Sequence, residues 1–336
     1  MPIVTMLGVP WKLDCNSSHF ANLPLFSTGF PPCLVGMSSR SKNVLLGTCI
    51  LCSKQAASTT RYHKACMNAT SPKMSAVHRN NVKELGQGMR TLMFAHGYGC
   101  DQSMWRQVIP AFKDDYKLIL FDYVGAGGSD SSAFDRTYYS TLRGYAQDVL
   151  EIIEELNLEQ VTFVGHSVSS MIGALAAIER PANFENLIMI GPSPSYINDG
   201  DYVGGFERSD IEGLLALLDS NHLGWSATMA PIIMGESQSP DAISELQDSF
   251  CRTDPIFAQH FARVTFLSDN RKDLPKLQIR TLILQCDKDI IAPSQVGEYV
   301  HRCLPNSQLE MMQATGHCPH MSAPLEVVDH MKRFLQ

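Results

Sequence analysis

From residue 90 onward the chain alternates two patterns. Short runs of consecutive apolar, often β-branched residues are followed by longer stretches whose apolar residues fall on one side of a helix. Thr91 to Ala95, Lys117 to Tyr123, Val161 to Val164, Leu187 to Ile190 and Thr281 to Cys286 read as buried strands, and Leu309 to Met312 as a strand edge. Tyr138 to Leu156 predicts a helix with Leu142, Tyr145, Ala146, Val149, Ile152, Ile153 and Leu156 on one face, and Met171 to Ile178 predicts another that stops at Pro181. This alternation predicts an α/β fold, a mostly parallel sheet flanked by helices. The rhythm breaks after Gly191-Pro192, because the next strand comes only at Thr281 and that gap is too long for a loop. Its apolar residues, among them Ile211, Leu214, Leu218, Trp225, Met229 and Ile232, keep helical spacing without strand alternation, so the gap predicts a helical lid. A lid rich in Met, Trp, Phe and Leu would hold an apolar ligand away from water, whereas a helical insert with an ordinary core is the plainer alternative.

Candidate chemistry sits where predicted strands end. Val161-Thr162-Phe163-Val164 runs into Gly165-His166-Ser167-Val168-Ser169 and then a helix, which places Ser167 at a strand-to-helix corner. Small flanking residues permit a strained turn there, and the free N–H groups of the new helix face a developing oxyanion. Ser169 stands where Gly is commoner, and is small enough to pass. Asp287-Lys288-Asp289 follows the Thr281 strand, and Gly316-His317-Cys318-Pro319-His320 follows Leu309 to Met312, so the order is Ser, Asp, His. A serine hydroxyl needs an imidazole to take its proton, here His317. The imidazole needs a buried carboxylate to fix its tautomer, here Asp289, which lies beside the apolar pair Ile290-Ile291. Asp287 and His320 are the competing choices. The oxyanion donors expected are the backbone N–H of Val168 and, from the loop His96-Gly97-Tyr98-Gly99, that of Tyr98. His96 reads as a turn residue rather than a base. Tyr98, Trp225, Met229 and Cys318 are expected to line the substrate pocket.

Composition adds bounds. At 336 residues the chain holds one large domain plus an extension. A net charge of -7 without a basic patch argues against nucleic acid or an anionic membrane surface as the partner. No apolar run approaches the ~20 residues of a membrane span. Cys100, Cys251, Cys286, Cys303 and Cys318 are scattered singly, as in a reduced, cytoplasmic protein. Cys318, beside His317, would be open to oxidation or alkylation if exposed. Met1 to Lys73 is different in character, rich in Ser, Thr and Pro with Asp14 as its sole acid. It resembles an organelle transit peptide, a mis-assigned gene start being the other reading, and Met74 is a natural beginning. Cys49, Cys52, His63 and Cys66 have a spacing that could hold zinc but lack the knuckles of a zinc module, so no metal is expected. The expected division is residues 1–78 as a disordered or transit-like extension and 79–336 as the catalytic domain, with its lid at about 196–265.

Taken together, Gly97-Tyr98-Gly99-Cys100-Asp101-Gln102-Ser103, Phe121-Asp122-Tyr123-Val124-Gly125, Gly165-His166-Ser167-Val168-Ser169, Asn198-Asp199 with Gly204-Gly205-Phe206-Glu207, and Gly316-His317-Cys318-Pro319-His320 resemble one small-lid α/β-hydrolase family. That family includes the RsbQ-type bacterial stress regulators and the plant strigolactone and karrikin receptors. The resemblance covers about Asn80 to the C-terminus. It implies an α/β-hydrolase fold with an inserted lid of four helices, the triad Ser167, Asp289 and His317, and no cofactor. It also implies slow hydrolysis of small hydrophobic esters or butenolide lactones coupled to signalling. The alternative it carries is a ligand-gated receptor whose lid change recruits a signalling protein.

Overall fold

The computed structural model describes residues 74–235 and 240–336. Residues 1–73, and with them the transit-like extension and the cysteines at 49, 52 and 66, lie outside the described residues. Seven strands form one sheet: β1 (Lys83–Leu85), β2 (Arg90–Ala95), β3 (Tyr116–Leu120), β4 (Val161–His166), β5 (Phe184–Ile190), β6 (Arg280–Cys286) and β7 (Ser307–Met312), in the order β1-β3-β2-β4-β5-β6-β7. β1 runs antiparallel to β3, and every other pairing is parallel. Both faces of the central strands are covered, which is why β4 is buried at all six positions and reads as a continuous apolar run.

Alternate residues of the strands feed two cores. Met93, Ile119, Phe163, Leu187 and Ile283 pack with the helices α2 (Leu142–Glu155) and α3 (Val168–Glu179) and with Val300 of α8 (Ser294–Cys303). Leu92, Leu118, Val164, Ile188 and Leu282 face the other way, onto Trp105 and the C-terminal helix α9 (Pro324–Leu335). The same second core runs on into the helical insert through Ile211, Leu215, Trp225 and Phe250.

Several elements run a few residues beyond the periodicity, β5 from Phe184 and α3 from Val168, and two fall short of it for local reasons. The helix expected from Tyr138 starts at Leu142, because the chain before it folds back until the Tyr138 carbonyl lies 2.2 Å from where a Cβ on Gly144 would be. Strand β3 ends at Leu120 rather than Tyr123, because Asp122 leaves the sheet to collect hydrogen bonds from Gln102 N, Gly128 N and Asn81 Nδ2. Among the described residues, Ser75 ties the N-terminal end to the body through its hydroxyl bond to Glu155. The short helix α1 (Ala76–Arg79) donates two backbone N–H groups to Glu155, and Arg79 pairs with Asp148 and Glu151 at 2.9 and 2.8 Å.

Between β5 and β6 come α4 (Arg208–Ser220), α5 (His222–Met234), α6 (Pro240–Arg252) and α7 (Pro255–Phe266). Caps set their ends: Glu207 and Asp210 form a capping box on α4, Asn221 caps α5, and Asp254 with Pro255 opens α7. The two ends of the insert are tied together. Ser195 bridges Asp269, Asn270 N donates to Pro194 O at 2.7 Å, and the Arg271 guanidinium reaches both Asp199 and Asp269. Among the described residues no helix is long and apolar enough to cross a membrane.

Candidate active site

Strand β4 delivers Ser167 to the carboxyl edge of the sheet, and α3 begins at the next residue. Ser167 has φ 55° and ψ -122°, a backbone conformation disfavoured for a residue with a Cβ. Its N–H donates to Ile190 O at 2.8 Å, which holds the corner against β5. Gly165 is required by the tightness of the turn, since a Cβ there would lie 2.6 Å from the Ser169 backbone. Ser169 is accepted because its own side chain points elsewhere: its hydroxyl donates to His96 O and pairs with the Tyr123 hydroxyl at 2.8 Å. A glycine would forfeit both bonds.

The structure brings Ser167, His317 and Asp289 into one line. Ser167 Oγ is 2.7 Å from His317 Nε2, and His317 Nδ1 is 2.7 Å from Asp289 Oδ2. The other Asp289 oxygen accepts from Ile291 N and Ala292 N at 2.8 and 3.0 Å, so the carboxylate is fixed on both sides. All three residues are buried, Ser167 being 5% exposed. Asp287 is exposed and lies outside the chain of contacts. His320 is fully buried with neither ring nitrogen bonded, and its pKa is depressed to about 3 by burial and then by His317.

Two further histidines shape the site without reaching Ser167. His166 Nε2 lies 2.8 Å from the His317 carbonyl, so it donates there and links the corner to the loop that bears the imidazole. Burial first, then the neighbouring His320 and His317, push its pKa well down and keep it neutral. His96 has Nδ1 at 2.8 Å from Gly97 O and accepts from Tyr123 N at its other nitrogen, which fixes it as a turn residue. A Cβ on Gly97 would fall 2.4 Å from His166 Nδ1, so this loop needs glycine to pass the ring.

Val168 is the first residue of α3, and its N–H therefore has no acceptor within the helix. Tyr98 sits between Gly97 and Gly99, the latter at φ +68°, and its hydroxyl donates to Ala258 O of α7 at 3.2 Å. Tyr98, Trp225, Met229 and Cys318 all line the cavity above Ser167, together with Phe250 and Phe266. That cavity is small, about 30 Å³. Cys318 is 2% exposed, and burial raises its thiol pKa, so the exposure on which its reactivity would depend is not met. A wider open cleft beside Asp101, Asp122 and Arg252 does not include Ser167.

Tyr196 belongs to the site and has no counterpart in the sequence reasoning. It follows β5, is 1% exposed, and its hydroxyl lies 3.4 Å from Ser167 Oγ. Burial raises its pKa, so it stays a neutral donor. Its position just beyond a strand's carboxyl end, like that of Ser167, Asp289 and His317, is the signal that could have marked it. No group of three or more metal-binding side chains occurs among the described residues.

The chain resembles known proteins over nearly all of the described residues. It is 40% identical to the "Karrikin insensitive 2 receptor CA" of Petunia hybrida over 257 residues, which is 76% of this chain and 95% of that one. It is 37% identical to the "Strigolactone esterase D14" of Arabidopsis thaliana, covering 76% of this chain and 96% of that one. Among solved structures, a hydrolase from Oleispira antarctica superposes with a TM-score of 0.76 at 46% identity, over 78% of this chain and 96% of its own. Residues 92–330 match the pattern of the Alpha/beta hydrolase family, and the chain belongs to that family.

Proposed function

We propose that the protein is a serine hydrolase of small hydrophobic esters or butenolide-type lactones. The observation that carries this reading is the unbroken Ser167–His317–Asp289 line beneath an apolar cavity. Ser167 Oγ attacks the carbonyl carbon while its proton passes to His317 Nε2, and Asp289 stabilises the imidazolium. The backbone N–H groups of Val168 and Tyr98 hold the oxyanion. His317 then returns the proton to the departing alkoxide or enolate, leaving an ester on Ser167. Water attacks that ester with His317 as base, and the acid product leaves. These steps need only side chains and backbone donors.

The small cavity also supports a second reading, a ligand-gated receptor. A site that encloses a small ligand spans about 300 Å³ or more, so the four helices from Arg208 to Phe266, acting as a lid, must part to admit one. In this reading a ligand or its acyl product alters the lid and a signalling protein docks there, in keeping with the word receptor in the name of one relative and esterase in another. Hydrolysis is then slow and follows binding. The five cysteines of the described residues are all free, which fits the cytoplasm, with organelle import added if the segment before Met74 is a transit peptide.

Intact-protein mass spectrometry during incubation with a fluorogenic butenolide separates the two. Multiple-turnover release without a lasting adduct, lost in Ser167→Ala, means a working esterase or lactonase. A single burst with persistent added mass on Ser167 or His317 means a receptor. Undiminished hydrolysis by Ser167→Ala would remove Ser167 from the mechanism.

A further inference from the structure

The cavity above Ser167 is walled mostly by carbon, yet three polar atoms in residues that line it are buried without a protein partner: His166 Nδ1, which lies against Gly97, and, in the insert, Trp225 Nε1 and Thr265 Oγ1. Both residues are buried, Trp225 at 3% and Thr265 at 1% exposure. Buried polar groups without partners are rare, and each weakens the fold unless something bonds it. The insert supplies its own control. Helical hydroxyls ordinarily turn back onto the carbonyl four residues earlier. Thr228 does so onto Gly224 O at 2.9 Å and Ser226 onto His222 O at 2.8 Å, and Thr253, one residue past the end of α6, does so onto Ser249 O at 3.3 Å. Thr265, also helical and more deeply buried than Thr228 or Thr253, does not.

Both residues line the cavity that Tyr98 also lines. The Trp225 ring meets the Tyr98 ring edge-on at 5.8 Å, and Phe266, next to Thr265, meets it from another side at 5.7 Å. Tyr98 in turn carries one of the two proposed oxyanion donors. An indole N–H only donates, and a threonine hydroxyl can donate, so the pair is suited to an acceptor oxygen. That oxygen cannot be the reacting carbonyl oxygen, which the backbone donors hold.

We infer that Thr265 and Trp225 form a polar subsite that selects substrates bearing a second oxygen acceptor, an ether, ketone or further ester oxygen, away from the scissile carbonyl. This inference rests on the hydrolase reading of the same cavity. It narrows the substrate from any small hydrophobic ester to an oxygenated one, because an oxygen met by a buried donor is favoured over a methylene that strands the donor.

The test uses two matched ester pairs that differ only in one oxygen replaced by methylene: para-nitrophenyl methoxyacetate against para-nitrophenyl butanoate, and para-methoxyphenyl acetate against para-ethylphenyl acetate. The first pair probes the acyl side and the second the alcohol side. Thr265→Val keeps the shape and removes the hydroxyl. In that variant kcat/KM should fall roughly tenfold for the ether member of at least one pair and less than about twofold for its methylene twin. Comparison of variant with wild type cancels the intrinsic reactivity of each ester. The melting temperature should stay level or rise, because no internal bond is lost. Equal changes for both members of both pairs, or no change, would overturn the subsite, as would a fall of several degrees in melting temperature.

Calorimetric titration of the same four esters into Ser167→Ala, with and without Thr265→Val, reads the preference as a ratio of Kd. If the wild type hydrolyses none of the esters, the nucleophile assignment fails while the Kd ratio still decides the subsite. No measurable preference in that titration, including no binding, overturns it.

Discussion

The sheet and the helical insert are joined by one continuous core but are built to different tolerances. In the body, β4 is buried at every position, Asp289 is bonded on both oxygens, and Asp122 accepts three hydrogen bonds. In the insert, α6 buries Leu246 and Phe250 among its thirteen residues. The body holds reacting atoms to a fixed geometry, as catalysis requires. Within the insert α5 buries six of its thirteen residues, so α6 is the helix that opens at lower cost. The difference predicts a division of labour, in which body residues set kcat and insert residues set KM and selectivity.

That division is open to direct attack. Ser167→Ala should reduce ester hydrolysis by about 10⁶-fold with the melting temperature unchanged, and large residual turnover in steady-state assays would place the chemistry elsewhere. Asp289→Asn should cost about 10⁴-fold in kcat, because the wrong imidazole tautomer is then held. Asp287→Asn, at an exposed site, should cost almost nothing; the reverse ranking would exchange their roles. In the insert, Phe250 packs against Trp225 at 5.3 Å and Tyr98 at 6.2 Å. Phe250→Ala should lower unfolding free energy by about 3 kcal/mol and raise KM while leaving kcat within about threefold. A kcat collapse in that variant would end the separation between body and insert.

The smallest effect expected is on pH dependence. His96, His166 and His320 are buried behind the site with pKa values below the ordinary histidine value, and His320 is near 3. The unfolded chain takes up protons near pH 6.5 that the folded one refuses, so their contribution is full above that pH and is lost as pH falls toward about 3. Asp148 opposes this, since burial pushes its pKa up to about 6 and the folded state gains as that carboxyl protonates. Three histidines outweigh one carboxyl. Denaturant titrations should show stability declining below pH 6.5, and His320→Phe should flatten that decline. Parallel curves for variant and wild type would show that the ring titrates freely.

Much of this was legible along the chain because parallel strands write themselves as apolar runs and place functional residues at their carboxyl ends. Ser167, Asp289 and His317 each follow such a run, and they meet in space. What stayed hidden lacks a run or a period. Strand β1 has three exposed residues and pairs only at the edge. Tyr196 lies in Pro192-Ser193-Pro194-Ser195-Tyr196, a segment with no periodicity, and its nearness to Ser167 is a tertiary contact across 29 residues of chain. Thr265 is hidden differently: its helix is legible, but a threonine that bonds its own helix and one that does not are identical in sequence.

The tied stem of the insert has a consequence for how such proteins diversify. Because Asn270 N bonds Pro194 O and Ser195 bridges Asp269, the chain leaves the body and re-enters it through one paired gateway. Everything between those residues is therefore a cassette. Recombination at Pro194 and Asn270 would exchange Trp225, Met229 and Phe250 of the cavity lining in one event, but also Tyr196 beside Ser167 and the Ile233 carbonyl that accepts from His317 N, so an incoming segment has to restore those two contacts to keep the site in register.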